Sequence, residues 1–285
     1  MSLRVAVAGA GGTVGRRLTE LLLADGHDVL SLTRSPGRAA LRGVRGRLVR
    51  ADFDARAGLA RAVEGADALF VATFDPMDPR HDEHLATAAL AAGVRHVVKL
   101  SALAVTDPGA QDLVTRWQRE CEQLWQTSGM TWTFLRARAF MSNCLAWAGA
   151  VRAGGPVATL HGYAPNACVD PADVAAVAAR ALTVPGHAGR AYALTGPAAV
   201  SAREQVAQLS GFLRRPLRHE ELTEQQALER WSARYPPPLV RALVESAGRQ
   251  AAGAKASVTE DVLRVTGREP TAFGTWARRH LTVFR

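Results

Sequence analysis

Lysine is almost absent: 33 of the 35 basic residues are arginine, leaving Lys99 and Lys255. The three tyrosines, Tyr163, Tyr192 and Tyr235, are followed four positions later by Ala167, Gly196 and Leu239. No Tyr-x-x-x-Lys pair, the usual acid–base dyad of short-chain dehydrogenases, is therefore present. The three cysteines, Cys121, Cys144 and Cys168, are odd in number and widely spaced, so they form neither a disulfide framework nor a metal motif. His81, His84, His96 and His161 also lack ligand spacing and read as surface or core residues, so no metal is expected. The longest apolar stretches, Ala68–Phe74 and Leu85–Val94, fall far short of the ~20 residues of a membrane span. No apolar leader of ordinary length follows Met1. These absences predict a soluble cytoplasmic protein with reduced thiols and no membrane partner.

The chain has 285 residues, 48% hydrophobic and 21% charged, the profile of a globular α/β protein with room for a smaller lobe. The net charge of +9 comes from arginines spread along the chain. They follow no zinc-finger, basic-zipper or RNA-binding frame, so no nucleic-acid partner is expected and the charge reads as a basic, solvated surface.

Strand-like runs alternate with helical periodicity through the first half. Strands are expected at Arg4–Ala8, Val29–Thr33, Gly46–Arg50, Ala68–Thr73, His96–Leu100 and Trp132–Arg136. Helices are expected over Val14–Ala24, His81–Ala92 and Asp112–Thr127. This rhythm predicts a Rossmann-type doubly wound parallel sheet. Beyond it, Phe140–Arg152 and Asp170–Leu182 read as helices, Arg190–Leu194 as a strand, and the remainder as mostly helical. The division predicted is a nucleotide-binding core at 1–136 and a substrate lobe and lid at 137–285, with strand 190–194 returning to the core sheet.

The strongest motif joins the first strand to the first helix: Gly9, Gly11, Gly12, Thr13, Val14 and Gly15. Residues without a β-carbon let a pyrophosphate approach the backbone, and the helix N-terminus behind them offers free N–H groups. An acid at the end of strand 2 would select NAD; Arg34 stands there instead, with Arg38 close behind, which suits the 2′-phosphate of NADPH. Asp52 and Phe53 after strand 3, Thr73 and Phe74 after strand 4, and Lys99 and Ser101 on strand 5 fall at carboxyl ends of strands. Those ends line the cofactor crevice in open sheets.

The glycine loop, Val97-Val98-Lys99-Leu100-Ser101, Trp117-Gln118-Arg119 with Glu122, and Arg136-Ala137-Arg138-Ala139-Phe140-Met141-Ser142-Asn143 resemble the NmrA-like atypical short-chain dehydrogenase/reductases. So do Asp170–Ala175, Leu194-Thr195-Gly196-Pro197 and Val265–Pro270. The resemblance runs nearly end to end. It departs at Gln118, where the family often has histidine, and at Arg136-Ala137-Arg138, where it often has Arg-Pro-Gly. It implies a Rossmann fold, a nicotinamide cofactor, and a place among quinone and ketone reductases, antibiotic-type tailoring enzymes, or non-catalytic redox sensors.

Ser101 and Gln118 are the candidates for contact with the reacting oxygen, Ser101 as a donor to oxyanion charge and Gln118 as a donor that cannot protonate. Trp117, Phe140, Met141, Asn143, Trp147 and Tyr163 are the candidate substrate wall. Without the dyad, the expected substrate is one that stabilises its own anion: an aromatic ketone or quinone, of polyketide type. The function expected is an NADPH-dependent keto- or quinone reductase acting as monomer or homodimer. The alternative is a redox-sensing regulator that binds NADP and a protein partner.

Overall fold

The computed structural model describes residues 2–285. The chain divides into two compact units. The first takes the chain up to Thr106, then Thr115–Ala137 and Pro171–Ala193; the second takes Asp107–Val114, Arg138–Asp170 and Leu194–Arg285.

In chain order the first unit begins with β1 (Arg4–Ala8), α1 (Thr13–Ala24), β2 (Asp28–Thr33), α2 (Pro36–Leu41), β3 (Arg47–Arg50) and α3 (Leu59–Ala62). It continues with β4 (Ala68–Val71), α4 (Arg80–Ala91), β5 (His96–Ala102), α5 (Leu113–Gln126), whose first two residues fall in the second unit, and β6 (Thr131–Ala137). The second unit adds α6 (Ala148–Arg152) and β7 (Val157–Thr159) before the chain returns with α7 (Pro171–Thr183) and β8 (Arg190–Leu194). The rest is α8 (Ala202–Leu213), β9 (His219–Glu221), α9 (Glu224–Ser232), α10 (Pro237–Ala251), α11 (Asp261–Thr266) and α12 (Phe273–Arg279).

The seven-stranded sheet runs in the order β3-β2-β1-β4-β5-β6-β8, and the pairings from β3 to β6 are parallel. This is the expected doubly wound Rossmann arrangement. Its strand order reverses between β1 and β4, where such sheets open a crevice for a nucleotide. Every residue of β4 is buried, because helices cover both faces of a parallel sheet. Leu69, Leu85, Val97, Trp125 and Phe134 form the core on one side. Fully burying one such side chain contributes about 1.5–3 kcal/mol.

β2, β3 and β6 differ from expectation by single residues at their ends, and two strands differ by more. β4 stops at Val71 although Ala72 still bonds to the Ala8 carbonyl (3.0 Å), because the chain then turns toward Asp75-Pro76. β5 runs on to Ala102, since Ser101 and Ala102 pair with Arg136 and Ala137 of β6. The expected helix Phe140–Arg152 is a 3-10 turn over Met141–Trp147 followed by the short α6.

α7 was expected in the lobe but belongs to the first unit. Its Val174, Ala175, Val177, Ala178 and Ala181 are all buried, and the short alanine side chains let it lie close along α1.

The second unit has its own core around Val206, Leu209, Phe273, Trp276 and Phe284. Reciprocal capping boxes, Ser201 with Glu204 and Thr223 with Gln226, start α8 and α9. β7 and β9 pair as a separate parallel ribbon. No helix among the described residues is long and apolar enough to cross a membrane.

Candidate functional site

At the β1–α1 junction, Gly12 is the N-cap of α1 and no side chain caps it, so the first-turn N–H groups are open to a ligand. Gly9 has φ of +95°, and a β-carbon there would stand 2.8 Å from the Ala72 carbonyl oxygen. A β-carbon on Gly15 would stand 2.2 Å from the Gly9 oxygen. These two glycines are required by the fold itself. Gly11 is different: it is exposed, and a β-carbon there would meet no atom within 4 Å. The fold does not require glycine at 11, whereas a pyrophosphate laid on the backbone does. The residues present thus fit a dinucleotide. Thr13 is exposed beside them, and Val14 is buried with only its backbone facing the loop.

Arg34 is exposed immediately after β2, and Arg38 is exposed on α2. After β3, Asp52 is exposed and its Oδ1 accepts from the Asp54 N–H (3.2 Å). Phe53 is half-buried, with its ring edge-on to His81 at 6.1 Å. The hydrogen bond from His81 holds the Asp54 carboxyl below its usual range, and the charges of Arg80 and Arg34 act in the same direction. The β2–β3 register, Thr33 opposite Arg50, brings these groups to one end of the sheet.

The ends of β4 and β5 correct two expectations. Lys99 has no exposed side-chain surface and cannot reach a nucleotide. Its ammonium lies 3.2 Å from Asp82 Oδ1 and donates to Thr73 Oγ1 at 3.1 Å. Thr73 in turn donates to Asp82 Oδ2, and the Trp125 indole N–H donates to Asp82 Oδ1 (2.7 Å). Lys99 thus belongs to an internal network placed by α4 and α5, which also ties the hydroxyl of the half-buried Thr73. Phe74 remains 64% exposed, edge-on to Trp117 at 5.7 Å.

Ser101 is also committed. Its hydroxyl donates to Glu122 Oε1 at 2.6 Å, and Glu122 is held by Arg136 through Nε (3.0 Å) and Nη2 (2.7 Å). The carboxylate takes the proton that an oxyanion donor would need, so Ser101 is not placed as one. Gln118 and Trp117 are buried on α5, and both Gln118 Oε1 and Trp117 Nε1 lack a hydrogen-bond partner. Asp82 and Glu122, the residues that organise these networks, were not singled out from sequence for this role. Their partners lie 9 to 43 positions away, and no local signal couples them.

The second unit carries a cavity of about 470 Å³ that is open to solvent on one side, within the range of small-molecule sites. Phe140, Asn143 and Trp147 line it, with Cys144, Leu160, Leu222 and Trp231. Asn166, Gln205, Gln250 and Lys255 add polar groups. Three expected wall residues, Trp117, Met141 and Tyr163, are not part of it. Met141 is 2% exposed and packs in the core, where its methyl group abuts the position of Gly196. Tyr163 is 60% exposed, with the Arg203 guanidinium 4.8 Å from its ring centre. Among the described residues, no three of His, Cys, Asp and Glu converge on a metal position.

A family model described as NAD(P)H-binding matches residues 9–185. The chain belongs to this NAD(P)H-binding family. The chain is 51% identical over 280 residues to a (4-alkanoyl-5-oxo-2,5-dihydrofuran-3-yl)methyl phosphate reductase of Streptomyces griseus, covering 98% of this chain and 99% of the relative. It is 34% identical over 285 residues to an NAD(P)H azoreductase of Xenophilus azovorans, with 98% and 99% covered. Among solved structures it is similar to an NADPH-dependent quinone oxidoreductase of Escherichia coli in complex with NADPH. There the TM-score is 0.84 at 25% identity, over 98% of this chain and 99% of that chain. The resemblance to NmrA-like atypical short-chain reductases therefore holds. The protein is an NAD(P)H-dependent oxidoreductase acting on small molecules, and the non-catalytic alternative is set aside.

Proposed function

We propose that the reductase uses NADPH to reduce an electron-poor conjugated acceptor that stabilises its own anion. The type is an alkanoyl furanone carrying a phosphomethyl group, like the one named for the Streptomyces relative. The observation that carries this reading is the commitment of the polar groups at the ends of β4 and β5. Thr73 and Lys99 are tied to Asp82, Ser101 is tied to Glu122, and no Tyr-Lys dyad exists to supply a proton.

NADPH, when bound, supplies the hydride. The glycine loop and the uncapped α1 hold its pyrophosphate, and Arg34, with Arg38 near it, pairs with the 2′-phosphate. Asp52 and Phe53 would hold the adenine end. In such an acceptor the ring double bond is conjugated to both the lactone and the alkanoyl carbonyl. Hydride addition at the ring carbon bearing the phosphomethyl group leaves the negative charge shared between these two carbonyl oxygens. Water then protonates the carbon between them, so the chain's task is to position and to exclude rather than to donate a proton. The apolar cavity wall of Phe140, Cys144, Trp147, Leu222 and Trp231 suits the alkanoyl chain. A quinone satisfies the same electronic requirement, and an unconjugated aliphatic ketone does not. The three unpaired cysteines support work in the reducing cytoplasm.

The test follows NADPH oxidation by purified protein with the furanone phosphate, a para-quinone and an aliphatic ketone. Turnover of the first two and none of the third is expected. Equal turnover of the aliphatic ketone would mean that a proton donor exists in the chain, against this reading.

A further inference from the structure

The cavity of the second unit is lined at one side by Lys255, and near that lysine lie charges whose hydrogen bonding is incomplete. Arg138 follows β6 and is fixed by its backbone N–H on the Leu194 carbonyl (2.9 Å). Arg249 sits in the last turn of α10. The Lys255 carbonyl accepts from the Ala167 N–H at 2.9 Å, and its ammonium donates to Ser246 Oγ at 2.7 Å. Three segments distant in sequence thus bring three cations together, close enough for each arginine to repel the Lys255 ammonium and for Arg249 to repel Arg138.

Two carboxylates face the three cations. Asp107 Oδ2 lies 2.9 Å from Arg249 Nη2, and buried Asp112 favours the charged form of Lys255. Among these five groups the cations outnumber the carboxylates by three to two. The Nε of Arg138 and both Nε and Nη1 of Arg249 are buried without any hydrogen-bond partner. An unmet buried donor is costly to the fold, and more so when it is charged. The fold gains nothing from three of them, and an anion is the acceptor that such charged donors call for.

We propose that Arg138, Arg249 and Lys255 form a phosphate-monoester subsite beside the cavity and hold the phosphate of the acceptor. The identity of the remainder of that acceptor rests on the reductase reading; the anion site stands on the unmet donors. A phosphate dianion offers three acceptor oxygens to guanidinium and ammonium donors, and such charge-assisted bonds are the strong ones. Burial first, then the two guanidinium groups, hold the Lys255 ammonium down at about 8, with Asp112 and Cys168 opposing them. A bound dianion restores its charge, so binding above pH 8 takes up a proton.

The test is calorimetric titration of inorganic phosphate into protein saturated with NADP⁺, so that the glycine loop and Arg34 are already filled. Saturable binding is expected, with proton uptake at pH 8.5. Arg138→Gln and Lys255→Met each should weaken it by about 10- to 100-fold, the loss of one charged hydrogen bond, and Arg138→Lys should recover part of it. Thermal melting checks that each variant is folded. No saturable binding in wild type, or unchanged binding in both variants, overturns the subsite. NADPH–quinone turnover is read separately on wild type. Turnover without phosphate binding removes the subsite and keeps the reductase; phosphate binding without turnover does the reverse.

Discussion

The chain has two lysines, and their surroundings differ in kind. Lys99 is completely buried among Asp82, Thr73 and the face of Trp117, with its ammonium paired and hydrogen-bonded. Lys255 shares its neighbourhood with two arginines, and three donor nitrogens of those arginines lack a partner. The first environment is closed on itself and serves the fold. The second is unfavourable for the folded chain alone, which is the mark of a site that expects an anion. A buried charge by itself says little about function; what its partners leave unmet says more.

The comparison is broken most forcefully at the closed network. Asp82→Asn leaves the Lys99 ammonium without its counter-charge, and urea unfolding should show a loss of about 3–5 kcal/mol. The double replacement Lys99→Met with Asp82→Leu should recover much of it, since both charges then leave together. A loss below about 1 kcal/mol for the single variant would show that the pair is dispensable.

The glycine loop offers the same contrast on a smaller scale. Gly15→Ala drives a methyl group into the Gly9 carbonyl and should destabilise the fold by about 1–3 kcal/mol. Gly11→Ala meets open space and should leave the unfolding midpoint within about 0.5 kcal/mol while weakening NADPH binding about 10-fold or more. Equal NADPH affinity in Gly11→Ala and wild type would remove this glycine from the cofactor cradle.

Arg34→Ala should weaken NADPH by about 10- to 100-fold and leave NADH unchanged, read by fluorescence titration of both cofactors. Parallel losses for both cofactors would place Arg34 against the adenine or the ribose ring instead.

The smallest effect belongs to Lys255. Its folded value, about 8, lies below the ordinary 10.5, so between those values the unfolded chain binds more protons and stability rises with pH. Lys255→Met should therefore melt higher than wild type at pH 7, by about 1 kcal/mol, with the advantage shrinking from pH 8 to 10.5. A pH-independent difference would mean that the ammonium is not destabilised in the folded chain. Saturating phosphate should erase the advantage if the subsite is real.

Much of the first unit was legible in the residues. The loop is a contiguous run of small residues at a strand–helix junction, and Arg34 follows its strand directly, so local chemistry and periodicity located both. Phe140, Asn143 and Trp147 line the cavity together because one short segment carries all three. Met141 and Tyr163 do not, since whether an aromatic or methionine faces a cavity, the core or water depends on elements that pack far along the chain. Ser101 and Lys99 were correctly placed on β5, but their partners come from α5 and α4.

The order of strand and helix signals determined by itself that this chain is a doubly wound nucleotide-binding protein, because hydrophobic period and glycine placement act over a few residues. It also excluded the Tyr-Lys dyad by simple count. Tertiary structure alone decided which charges are spent and which are open. Asp82 closes on Lys99 and Glu122 on Ser101, whereas Arg138, Arg249 and Lys255 converge without enough acceptors. Hydrogen-bond satisfaction is a property of three-dimensional neighbours, and sequence order does not carry it.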